Sequence, residues 1–152
     1  TWMGADLDTV GMLARLVSFD TTSARSNLDL IGFVRATLAG SGVESDVVPD
    51  PSGTKAALHA VVGQRVAGGV ALSARRDCVP VEGQAWAADP FALRRADGRL
   101  TARGTVDMKG FWASVMAAVP ALAARDLKRP VHLCLSFDEE TTFAGAPLLV
   151  ND

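Results

Sequence analysis

Residues 130–140 read PVHLCLSFDEE, and the change of character inside this stretch decides the fold. Val131, Leu133, Leu135 and Phe137 form a short apolar run bounded by a proline, which reads as a buried strand. Asp138, Glu139 and Glu140 follow at once. Adjacent carboxylates repel one another and none suits a core. A buried strand that ends abruptly in acid is the pattern of a sheet whose strand ends open on a crevice, where ligands bind in α/β folds.

Working outward, the periodicity alternates between that of helices and that of strands. Leu7, Val10, Leu13, Leu16 and Val17 recur at helical spacing. After the polar connection SFDTTSARS, Ser26 with Asp29 three residues on resembles a capping box, and Leu30, Ile31, Phe33, Val34 and Leu38 mark a second helix that Gly40 and Gly42 stop. VESDVV and KAALHAVVG are short strand-like segments on either side of PDPSG, and GGVALSA reads as a buried strand. Asp97-Gly98 between FALRR and RLTARG is a hairpin signal, because both turn positions tolerate positive φ. Phe111, Val115, Val119 and Leu122 indicate a third helix with a kink expected at Pro120, and GAPLLVND reads as the opening of a fourth with Pro147 in its first turn. Strands interleaved with helices predict an α/β fold, an αβα sandwich with a mixed, largely buried central sheet.

The bulk properties narrow the function. The chain has 152 residues, 49% of them hydrophobic and 21% charged, which suits one globular domain. A net charge of −2 gives no reason to expect nucleic acid or an anionic membrane as partner. Cys78 and Cys134 are the only cysteines. They form no C-x-x-C motif, and their number fits a reducing, cytoplasmic setting. No apolar run is long enough to span a bilayer, and the first residues lack the features of a secretion signal.

Three acidic sites share one topological position. Asp77 follows GGVALSA, Asp107 follows RLTARG just before a helix, and Glu139 and Glu140 follow PVHLCLSF. Each acid alone would equally suit a helix cap or a solvated loop; gathered at strand ends they can hold a cation or move protons. LSARRDCVPVEGQAWAADPF, ARGTVDMKGF and SFDEETTFAGAP, in this order, resemble the successive signatures of the M20 metallopeptidase/amidohydrolase family, most closely acetylornithine deacetylases. The resemblance runs from about Leu13 to Val150. It implies a zinc-exopeptidase-like catalytic domain of which residues 1–152 are a single partial unit, without the lid or dimerisation domain and the C-terminal part. It also implies two zinc ions and hydrolysis of a small N-acyl amino acid. By motif, Asp107 matches the carboxylate bridging both metals, Glu139 the general base, Glu140 a ligand of one zinc, and Asp77 the acid that orients the first histidine ligand.

The chain departs from the pattern where it matters most. Arg75-Arg76-Asp77 stands where the family has H-x-D, so Arg75 occupies a ligand position. A guanidinium has no lone pair to offer a metal. The family's further acidic ligand and final histidine would fall beyond Asp152. His59 and His132 lie in strands at positions that are not family ligands and read as hydrogen-bonded strand histidines. Thr142 stands where relatives have a small glycine, while Lys109 and Trp86, the latter a candidate wall of a substrate pocket, are retained. Three functions follow as expectations: a zinc-dependent amidohydrolase, a non-catalytic relative acting through a partner, or one subunit of a split enzyme. Arg75 is expected to pair with Asp107, Glu140 or both in place of a metal, and the chain to associate with itself or with a complementing subunit.

Overall fold

The computed structural model describes residues 8–139 and 144–150. Two helices come first, α1 (Thr9–Val17) and α2 (Leu28–Gly40), then strands β1 (Ser45–Pro49), β2 (Ala56–Val62) and β3 (Val70–Arg75). A small hairpin, β4 (Arg94–Ala96) and β5 (Arg99–Thr101), leads through an irregular turn at Thr105–Lys109 into α3 (Gly110–Ala123). Strand β6 (Val131–Ser136) and the short helix α4 (Gly145–Val150) complete the order.

The sheet runs β1-β2-β6-β3. β1 and β6 are antiparallel to β2, whereas β3 lies parallel to β6, so the sheet is mixed, as the sequence predicts. Strand periodicity sorts the side chains. Leu58, Ala60 and Val62 of β2 join Leu133 and Leu135 of β6 in a core built with Leu16 and Val17 of α1, Leu30, Val34 and Leu38 of α2, and Trp112, Met116 and Val119 of α3. Each large aliphatic side chain buried there contributes about 2 kcal/mol. Helix α4 packs on β2 and β6. It comes so close that a Cβ on Gly145 would overlap the backbone of Phe137, which explains a glycine at a helix start.

Some expectations are corrected. Ser26 and Asp29 do not form the capping box. Asn27 is the N-cap residue of α2, and its side chain is drawn away to bridge both backbone groups of Ala56, donating to the oxygen at 2.7 Å and accepting from the nitrogen at 2.9 Å. Phe111 is 41% exposed and Trp112 takes the core position instead. β3 is an edge strand, not a buried one: Val70 is 59% exposed, and Ala71 and Ser73 are exposed. Its start is set by Gly69, at φ 111°, where a Cβ would collide with the Pro130 carbonyl that receives the Val70 N–H at 3.1 Å. The hairpin turn forms as expected, with Asp97 and Gly98 both at positive φ. His59 and His132 share one sheet face and bond to each other, Nε2 to Nδ1 at 3.1 Å. Burial and the neighbouring imidazole push His59 below its usual pKa.

Candidate functional site

The ends of β3 and β6 and the turn before α3 meet at one end of the sheet. β3 and β6 are parallel, with Arg75 in register with Ser136, so the segments Arg75–Asp77 and Phe137–Glu139 leave the sheet side by side. Asp107 arrives from the turn at Thr105–Lys109, where its φ of −125° and ψ of 93° break the helical conformation. The structure thus brings together Arg75, Asp107 and Glu139. Glu140, assigned a ligand role by resemblance, and Thr142 lie outside the described residues.

Arg75 is the centre of the cluster. Its Nη2 donates to Asp107 Oδ2 and its Nη1 lies 2.7 Å from Glu139 Oε2. The guanidinium side chain is 13% exposed, against 63% for Asp107 and 40% for Glu139. One planar fork therefore holds two carboxylates from different segments, a geometry that arginine suits and lysine does not. The expected partner Asp107 is found; Glu139 as the second partner was not anticipated.

Beneath this cluster lies a buried ionic layer that the sequence reading missed. Asp77 is 1% exposed and accepts from Ser23 Oγ at 3.2 Å. Arg76 is 3% exposed, with its guanidinium 5.2 Å from the Phe137 ring centroid. Burial lowers its pKa to about 9 against the opposing pull of Asp77 and Asp138. Asp138, at φ 59°, pairs with Lys55 Nζ, which also donates to the Ser23 carbonyl at 2.5 Å. Thr21 Oγ1 donates to the Arg76 carbonyl at 2.6 Å, and the Cys78 N–H to the Thr21 carbonyl at 3.2 Å. The strand ends are thereby tied to the loop after α1. The alternation of charge in RRD and FDE was the available signal, but it carries no pairing information across 60 residues of chain.

Lys109 is 2% exposed and donates to the Phe19 carbonyl at 2.8 Å; burial lowers its pKa to about 8. It anchors the start of α3 and does not reach the carboxylates by any described bond. Trp86 is not part of the cleft wall. It stands behind Arg103, whose guanidinium lies 5.0 Å from its ring centroid, and Arg103 itself lines a cleft of about 380 Å³ together with Cys78, Val79 and Asp107.

A model of peptidase family M20/M25/M40 matches residues 71–152, more than half of the chain and the part that carries all three acidic segments. The chain belongs to this family. Solved structures agree on the fold. Human carnosine dipeptidase 1 superposes with a TM-score of 0.78 at 24% identity, over 93% of this chain and 34% of that one. The M20 family metallo-carboxypeptidase Sso-CP2 from Sulfolobus solfataricus gives 0.77 at 19% identity, over 88% and 31%. Aminoacylhistidine dipeptidase from Vibrio alginolyticus gives 0.62 at 22% identity, over 91% and 29%. The M20 chain described here thus spans about a third of the length of these relatives.

Members of this family are typically metal-dependent, so the fit of this M20 site to a metal can be tested on its own residues. The described residues do not fit. No group of three or more His, Cys, Asp or Glu side chains among them is arranged to hold an ion, and the carboxylates of Asp107 and Glu139 are directed to a guanidinium. A resident cation of charge one, with donors and no lone pair, stands between them. No helix among the described residues is long and apolar enough to cross a membrane.

Proposed function

We propose that this M20 chain is a non-hydrolytic relative of zinc-dependent amidohydrolases, descended from an enzyme of the acetylornithine deacetylase kind that acted on small N-acyl amino acids. One observation carries the reading: a single guanidinium, Arg75, holds both Asp107 and Glu139. Amide hydrolysis of the family type needs a Lewis acid and a carboxylate able to take a proton from water. Arg75 supplies no Lewis acidity, and it already engages one oxygen of the Glu139 carboxylate. Asp77, which by resemblance would orient a histidine, has instead a buried structural setting beside Arg76 and Ser23.

The test is elemental analysis of protein purified with zinc in every buffer, followed by assay on N-acetylornithine. The expected result is zinc far below one ion per chain and no turnover. Tightly held stoichiometric zinc would overturn the proposal.

A second feature supports action through a protein contact. The outer edge of β3 is unpaired among the described residues and presents Val70, Ala71 and Ser73 without a charge or proline to block it. Such edges template pairing. The expected occupant is a second copy or a complementing subunit, with self-association rising with concentration in light scattering; a monomer at millimolar concentration would remove this support.

A further inference from the structure

The cleft beside Asp107 has chemistry that the metal question does not absorb. Arg103 is set into its wall from two sides. Its backbone N–H donates to the Pro90 carbonyl at 2.7 Å. Its Nη2 donates to Gln84 Oε1 and lies 3.5 Å from the Pro80 carbonyl oxygen, while the guanidinium carbon lies 5.0 Å from the Trp86 ring centroid. Among the described residues, Nη1 takes no acceptor and no carboxylate pairs with the side chain. A guanidinium held this way, with Nη1 left without an acceptor, can receive an anion with much of its side-chain freedom already lost.

Asp107 shares the cleft and is paired with Arg75, which also holds Glu139. Burial raises the pKa of the Cys78 thiol in the cleft wall, and Asp20 adds to that rise, while Lys109 and Arg103 pull the other way. The remaining wall is mixed: Gly104 and Thr105 lie beside two apolar side chains, Val79, 37% exposed, and Val106, 91% exposed. A cavity of about 380 Å³ lies at the small end of the range for small-molecule sites.

We propose that this cleft binds a small monocarboxylate with an apolar substituent, its carboxylate received by Nη1 of Arg103 and its apolar part laid against Val79 and Val106. A dianion such as phosphate suits it less well, because a single free amino edge receives it and Asp107 stands opposite. The proposal is independent of whether the chain retains any hydrolytic activity, and chelator in the test keeps the two apart.

The experiment is an NMR titration in chelator that follows the Trp86 indole N–H, with isocaproate and, separately, its uncharged isostere isocaproamide. The acid is expected to bind about tenfold more tightly than the amide, the discrimination one charge-assisted hydrogen bond supplies. Arg103→Gln is expected to abolish that preference. Val106→Asp, at an exposed position that folding does not depend on, removes an apolar contact from both ligands and adds a repelling charge for the acid alone; it is expected to weaken the acid severalfold more than the amide, and it decides the matter should Arg103→Gln fail to fold. Equal binding of acid and amide, a preference that survives both substitutions, or no response of the indole to the acid at tens of millimolar would overturn the proposal.

Discussion

In chelator, Arg75→His is expected to melt several degrees below the parent protein, and zinc to recover part of that loss in the variant alone. The guanidinium makes two charge-assisted contacts, to Asp107 and to Glu139. Each such contact is worth about 1.5–3 kcal/mol when well buried. Both carboxylates are more than a third exposed, so solvent screens them and the net loss is nearer 2 kcal/mol. In a domain of this size that lowers the melting temperature by roughly 4–8 °C. A neutral imidazole has one N–H and cannot span two acceptors. It does have a lone pair, and with Asp107 beside it the variant regains a partial metal-binding set. Binding to the folded state alone then stabilises by about 2.7 kcal/mol when zinc is a hundredfold above its Kd. Thermal melts of both proteins, with chelator and with zinc, check each part. A variant that melts like the parent in chelator would show that Arg75 is not the internal counter-cation.

Asp138→Asn is expected to cost still more, about 3–5 kcal/mol, because it removes one member of a buried ion pair and leaves the other. Asp138 and Lys55 are 12% and 14% exposed, and Asp138 also opposes the buried Arg76 charge. Asparagine tolerates the left-handed backbone at this position as well as aspartate does, so the change isolates charge from conformation. Against a typical total stability of about 5–15 kcal/mol the loss is severe. The double variant Lys55→Met, Asp138→Asn is expected to regain part of it, since no Lys55 ammonium is then stranded, but not all, since Arg76 remains. Urea denaturation measures both. A single variant losing less than about 1 kcal/mol would place this pair with ordinary surface salt bridges.

The hydrophobic patterns read from the sequence correspond to real elements wherever local period and local turn chemistry decide the outcome. Asp97-Gly98 makes its hairpin, and β2 and β6 form the centre of the sheet. The misreadings share one cause. Val70, Ala71 and Ser73 are as apolar or small as residues of a central strand, and only the order of strands in the sheet reveals them as an edge. Ser26 and Asp29 have the spacing of a capping box, yet Asn27 is recruited by Ala56, which is 29 residues away. At the site, Arg75 and Asp107 were legible because the motif spacing singled them out. Glu139 as the second partner, Lys55 beneath Asp138, and Arg103 over the Trp86 ring were not, because each depends on a contact between separate segments of the chain.

The position of β6 has a consequence for how the chain acquires its shape during synthesis. β6 is the last strand among the described residues but lies in the middle of the sheet, bonded to β2 on one side and β3 on the other. When β1, β2 and β3 have left the ribosome, only the β1–β2 hairpin can form, and β3 has no neighbour to pair with. The sheet closes after residues 131–136 emerge, and every contact β6 makes with β2 and β3 closes a loop of more than 50 residues. Contacts of such long range slow folding and leave apolar strands uncovered meanwhile. A nascent chain halted before Val131 is accordingly a client for chaperones, whereas one extended past Ser136 can bury its own core.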